Sequence, residues 1–300
     1  MKIDLALLRQ YANLELLAKQ MVEGFITGLH KSPYHGFSVE FAEHKIYNSG
    51  EATRNIDWKV FAKTDRLYTK RYEEETNLRA RLLIDASASM YYPTETKGKI
   101  AFAAIASACL SYLLQRQRDA VGISTFAQDI ELETPIKSSG LHLQKVLGQL
   151  SNLVDAVPSP GTTKLSEVLH AMAERTHQRS LIVVFSDFYD HADDADLFGA
   201  LNHLKHNKHE VLLFHIADRT TELELEFEQR PYEFVDAETG DKLKLVPSQF
   251  QAHYQAAMKT FRQDLTLKCH QYKIDFVEAD INGGIDQVLL PYLVKRGKMR

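Results

Sequence analysis

LLIDASASM, residues 82–90, runs from an apolar segment into Asp85 and then sets Ser87 and Ser89 at alternate positions. The apolar residues of ARLLID are consecutive rather than alternating, which is the pattern of a short strand covered on both faces. Its exit through Asp-x-Ser-x-Ser has two readings. One is a polar loop that caps the next helix. The other is a carboxylate and two hydroxyls aimed at a metal ion.

The stretches downstream repeat that strand-then-helix rhythm. Residues 99–116 read as a helix apolar on most faces, AVGISTF as a strand, 140–155 as a helix before the loop PSPGTT, and 165–176 as a further helix. SLIVVFSD is a strand, 194–207 a helix, EVLLFHIAD a strand, 247–270 a helix, KIDFVEAD a strand and 284–295 a last helix. This alternation predicts an α/β fold with a doubly wound, mostly parallel sheet and helices on both faces, whose ligands sit beyond the carboxyl ends of the strands. Residues 222–246 interrupt it with β-alternation around Thr239-Gly240-Asp241, a hairpin insertion. Upstream, residues 1–30 carry an amphipathic helical period expected to pack on the main body, and residues 31–78 read as extended segments and hairpins. Residues 79–300 are expected to form the main domain.

The composition, 44% hydrophobic and 25% charged over 300 residues, is that of a soluble globular protein with a core. Thirty-six basic against forty acidic residues give a net charge of −4, so no general basic field draws the chain to nucleic acid or membranes. Cys109 and Cys269 are neither a disulfide framework nor a cysteine-rich zinc site, and a reducing, cytoplasmic compartment is expected. The longest apolar stretch, 100–114, falls short of a membrane span. Asp4, Arg9, Glu15 and Lys19 interrupt the N-terminal apolar pattern, so no signal peptide is expected.

In a doubly wound fold three polar loops should open on one edge: Asp85-Ala-Ser87-Ala-Ser89, then Gly161-Thr162-Thr163-Lys164-Leu165, then Ser186-Asp187. Two carboxylates and several hydroxyls suit a small hard cation such as Mg²⁺, or Mn²⁺. Mg²⁺ takes six oxygens at about 2.0–2.1 Å and keeps waters rather than accept a full protein cage. Neutral hydroxyl ligands leave such an ion ready for one more anionic oxygen, a Glu or Asp from a partner.

These motifs resemble the metal-ion-dependent adhesion site of von Willebrand factor A domains. The resemblance implies Asp85, Ser87, Ser89, Thr163 and Asp187 as the metal set, with Thr162 the alternative to Thr163. A narrower likeness lies in SPYHGFSVEF, Arg54-Asn-Ile56-Asp57-Trp58, Leu67-Tyr68, Lys70-Arg71-Tyr72-Glu73-Glu74-Glu75 and the hairpin YEFVDAETGDKLKL. Together these resemble the bacterial family catalogued as domain of unknown function 58, from about residue 32 to the end. That family implies a von Willebrand factor A-like fold and an association with MoxR-type AAA+ ATPases. Gly50-Glu51-Ala52 departs from the family's Gly-Asp-Asp, which removes one carboxylate from that loop.

Other motifs read as structure. Trp58, between Ile56, Val60 and Phe61, is a packing anchor, with Arg54 and Asp57 as a bridge; partner binding by this block is the alternative. His203, His206 and His209 lack the i, i+4 spacing of a helical zinc pair and read as a solvated helix end. DHADDAD lacks the central Gly and closing Glu of a calcium loop. No nucleophile elbow flanks Ser87 or Ser89. The function expected is thus a non-enzymatic, metal-dependent protein-binding module gripping an acidic partner residue, with a MoxR-type ATPase or its client as partner in a chaperone-like or assembly role. The alternatives are a metal-dependent hydrolase or phosphatase at the same edge, and a metal-free scaffold.

Overall fold

The computed structural model describes residues 14–30, 44–46, 61–63, 65, 68–70, 78–158, 164–188 and 195–298. The chain forms two compact units, Met1–Phe25 with Leu78–Arg300, and Ile26–Asn77. In the smaller unit, strand β1 (His44–Ile46) pairs antiparallel with β2 (Tyr68–Lys70).

The larger unit is built on a six-stranded sheet. Its strands are β3 (Arg79–Asp85), β4 (Ala120–Phe126), β5 (Ile130–Glu133), β6 (Leu181–Ser186), β7 (Glu210–Ala217) and β10 (Asp275–Asp280), in the spatial order β10-β7-β6-β3-β4-β5. All neighbours are parallel except β5, which runs antiparallel to β4 at the edge. From β3 the chain first moves to β4 on one side and returns to β6 on the other. The strand order therefore reverses between β3 and β6, and a crevice opens at their carboxyl ends.

Successive strand residues face opposite layers. Leu83, Ile182, Val184, Val211 and Leu213 share one core with α4 (Leu165–Arg175), α5 (Ala195–His206) and the end of α6 (Pro247–Gln271). Leu82, Ile84, Val183, Phe185, Leu212 and Phe214 alternate with them and are fully buried, the Phe185 and Phe214 rings stacked 5.1 Å apart. Helix α2 (Gly98–Arg116) packs against β3, β4 and β7, and α3 (Gly140–Asp155) and α7 (Asp286–Lys298) pack on α2. Because α2 is enclosed on all sides, it is apolar all round.

Three details differ from the sequence reading. At 19 residues α2 is long and apolar enough to cross a membrane, which residues 100–114 alone did not suggest, but 89% of its apolar window is buried inside the unit. Strand β5 was not foreseen. The insertion holds a narrower hairpin than 222–246, β8 (Tyr232–Val235) with β9 (Lys242–Leu245), closed by Asp236 accepting from the Glu238 and Thr239 amides. The described part of the N-terminal helix, α1 (Leu14–His30), buries Leu14, Leu17, Ala18, Met21 and Val22, all within the larger unit.

Candidate functional site

Strand β3 ends at Asp85, and the neighbouring β6 ends at Ser186 with Asp187 next. Parallel register puts these ends side by side at the crevice. Asp85 is buried and held from two directions: the Ser87 amide donates to its Oδ1 at 2.9 Å, and the Ser186 hydroxyl to its Oδ2 at 2.7 Å. The Ser87 and Ser89 hydroxyl oxygens lie 3.0 Å apart, which the alternate spacing makes possible. The chain then turns into a short 3₁₀ segment, Ala88–Tyr91, without using the Ser87 side chain as a cap. Helix capping is therefore not what Ser87 does.

Behind Asp187, Phe188 is buried with φ 56°. A bulky residue in the left-handed region costs about 1–3 kcal/mol and is held there only by its surroundings. Here the Phe188 amide donates to Ser186 Oγ at 3.2 Å, turning the chain sharply once Asp187 has been delivered to the crevice.

Two further side chains complete the site. Lys99 is almost fully buried, and its Nζ donates to Asp187 Oδ2 at 2.8 Å and to Glu222 Oε1 at 2.6 Å. Lys99 enters from the first turn of α2, which is pressed close to its neighbours: a Cβ on Gly98 would sit 2.8 Å from Ile281 Cδ1 and 2.9 Å from Pro93 Cδ. Gly98→Ala should push this turn outward and lower stability by about 1–2 kcal/mol, read as a lower urea midpoint at unchanged slope. Glu222 belongs to a π-helical turn, Arg219–Leu223, just beyond β7. Its Oε2 accepts from the Asp218 amide at 2.7 Å, and its carbonyl accepts from the Tyr254 hydroxyl of α6 at 2.7 Å.

The electrostatics divide the two aspartates. Burial, with the nearby Asp187 charge, pushes Asp85 up to about 7 despite its hydrogen bonds. Burial also works against ionised Asp187, but the Lys99 ammonium and Ser89 hold it below the ordinary carboxylate range. For Lys99, burial is more than offset by Asp187 and Glu222, and its affinity for the proton rises. Glu222 is raised, chiefly by burial. The edge thus carries two buried carboxylates and a half-buried one against one ammonium, and the least satisfied of them is Asp85.

Asp85, Ser87, Ser89 and Asp187 come together in this crevice. Thr162, Thr163, Arg54, Asp57 and Trp58 lie outside the described residues. The Lys164 amide, next after Thr163, donates to the Ala127 carbonyl just beyond β4, at 3.2 Å, and the Ala86 amide donates to Phe126 O at 2.7 Å. Among the described residues no three His, Cys, Asp or Glu side chains converge as a ready-made metal cage. The donors that do converge are two carboxylates and neutral hydroxyls, a set that fits a hard, partly hydrated cation rather than a soft one. Sequence reasoning missed Lys99 and Glu222. The available signal was a lysine opening a helix that has no polar face.

The sequence profile of the family described as "Protein of unknown function DUF58" matches residues 43–264. "Uncharacterized protein Rv1480" of Mycobacterium tuberculosis (strain H37Rv) is 25% identical over 210 residues, 68% of this chain and 63% of the relative, so the match spans less than two thirds of the relative's length. The conserved hypothetical protein BatB from Bacteroides thetaiotaomicron is similar at 14% identity over 74% of this chain and 100% of that one, with a TM-score of 0.43. Proximal thread matrix protein 1 from the mussel byssus, solved with a zinc-occupied MIDAS motif, is similar at 12% identity over 73% of this chain and 47% of that one, with a TM-score of 0.39.

Proposed function

The chain belongs to the DUF58 family, and we propose that it is a metal-dependent protein-binding module. Asp85, Ser87, Ser89 and Asp187, with Thr163 or Thr162, would hold a Mg²⁺ or Mn²⁺ ion, which would supply the positive charge for a Glu or Asp of a protein partner. The observation that carries this reading is Asp85: a buried carboxylate at the switch point, pushed up to about 7, facing paired hydroxyls. A buried carboxylate short of positive charge is what a divalent cation relieves. With hydroxyls among its ligands the ion keeps coordination positions for water or for a partner's carboxylate. Lys99 orients Asp187 and keeps it ionised.

Binding rather than turnover is the reading we favour because Ser87 and Ser89 lie against each other and against Asp85 and Asp187, as co-ligands of one ion would. The family resemblance supports a MoxR-type AAA+ ATPase or its client as partner, in a chaperone-like or assembly role in the cytoplasm. The net charge of −4 speaks against nucleic acid, and burial of α2 within its unit supports a role for it in the core rather than in a bilayer.

Calorimetric titration of Mg²⁺ and Mn²⁺ into the purified chain, alone and with a glutamate-bearing peptide, tests the reading. One saturable event is expected, lost in Asp85→Ala while the far-UV spectrum is kept. Affinity retained in that variant, or no metal binding by the wild type in either condition, would refute the site.

A further inference from the structure

A second pair of metal-ligating groups lies away from this edge. His170 of α4 and His203 of α5 bring their Nδ1 atoms to 3.1 Å, with ring centroids 5.4 Å apart and planes tilted by 45°. The sequence reading placed His203, His206 and His209 together on a solvated helix end. Instead they part: His209 is buried, accepting from the Ser180 amide at 3.3 Å, His206 is exposed, and His203 turns to a histidine of another helix.

We propose that His170 and His203 form a two-imidazole clasp for a borderline transition-metal ion of the Zn²⁺ kind, bridging α4 and α5. Two ligand nitrogens at about 2.0–2.1 Å from one ion stand about 2.9 Å apart at right angles and about 3.4 Å apart in a tetrahedron. The observed separation falls between these values. With centroids 5.4 Å apart, however, the nitrogens meet head-on, so each ring must swing by about 40° to turn its lone pair onto a shared ion. Exposed His170 and partly exposed His203 leave room for that movement. Without an ion, the two nitrogens meet favourably only when one ring donates and the other accepts.

The surroundings favour the ligating tautomer. Glu174, one helical turn after His170, puts its Oε1 3.7 Å from His203 Nε2. At that ion-pair distance, longer than a hydrogen bond, a carboxylate favours the proton on Nε2 and leaves Nδ1 to ligate. A small shift would close it into the outer-shell hydrogen bond of metal-bound histidines. The frame is fixed independently of any metal. Val168, Leu169 and Met172 share a buried core with Leu197, Leu201 and Leu204, and the Asn207 side-chain amide donates to Ala173 O at 2.8 Å. His170 is exposed and His203 partly so, which leaves room for waters to complete the shell. Imidazole nitrogens select Zn²⁺, Cu²⁺ or Ni²⁺ over Mg²⁺, so saturating Mg²⁺ leaves the clasp open.

The test is a Zn²⁺ titration of the full chain by calorimetry, with saturating Mg²⁺ present throughout. One Zn²⁺ event is expected. Losing either ring turns a chelate into a single ligand, so His170→Ala and His203→Ala should each weaken that event by about 100-fold or more. Glu174→Gln should weaken it by about 10-fold, and Asp85→Ala should leave it unchanged. Imidazole ¹⁵N shifts should show both Nδ1 atoms moving together as Zn²⁺ is added, which surface association would not produce. No saturable Zn²⁺ event, or one indifferent to both histidine variants, overturns the proposal.

Discussion

Replacing Lys99 with methionine should destabilise the fold by about 3–5 kcal/mol, the cost of breaking a buried ion pair by removing one partner. The ammonium is the charge on which Asp187 Oδ2 and Glu222 Oε1 converge, at 2.8 and 2.6 Å, and all three side chains are largely removed from water. Methionine matches the aliphatic stem, so the packing of the first turn of α2 is kept and the loss is electrostatic. The two carboxylates then face each other without Lys99, and one of them must take up a proton. Two further results follow from that mechanism. Adding Glu222→Gln to the lysine variant should recover part of the loss, a coupling of about 0.5–3 kcal/mol. Added Mg²⁺ should stabilise Lys99→Met more than the wild type, because the ion then supplies the positive charge that Asp187 has lost. Urea unfolding of the single and double variants, in EDTA and in Mg²⁺, checks all three. A loss below about 1 kcal/mol for Lys99→Met would mean the pair is a passive contact, of the kind exposed ion pairs make.

Lys99 also marks where the sequence stops being legible. The main strands and helices were readable because each carries its signal locally. ARLLID, AVGISTF, LIVVFS and EVLLFHIA are mostly apolar without alternation, and they become parallel strands buried on both faces. Strand β5 was missed because IELE alternates over only four residues and lies at the antiparallel edge, half in water. Asp85, Ser87 and Ser89 were readable as a group because one short segment holds them. Lys99 lies 88 positions from Asp187 and 123 from Glu222, and only the chain path through α2, β6 and β7 brings the three together. Lysines are rarely buried, so nothing in the residue type announces this one. The same limit explains His203, whose partner His170 stands on another helix, 33 positions away.

The second large effect is on Asp85, and it runs with pH. In the metal-free protein the Asp85 carboxyl sits at about 7, against an ordinary value of 3.8. Between those values the folded state holds a proton that the unfolded state has released, so stability falls as pH rises through this window and levels off above 7. The gap corresponds to about 4 kcal/mol between the two protonation states. Asp85→Asn mimics the protonated acid without titrating. In EDTA it should therefore match the wild type near pH 4 and exceed it by up to about 4 kcal/mol at pH 8. Buried His215, pushed down to about 4, acts in the opposite sense: it must stay neutral in the fold, so its contribution is lost as pH falls from 6.5 towards 4. His215 is present in both proteins, and the difference between their profiles isolates Asp85. Saturating Mg²⁺ should close that difference at pH 8 by stabilising the wild type alone, since only its ionised carboxylate has a charge for the ion to relieve. A difference that does not vary with pH would show that Asp85 is an ordinary ionised aspartate. A pH-dependent difference that Mg²⁺ leaves untouched would keep the buried acid and remove the metal from it.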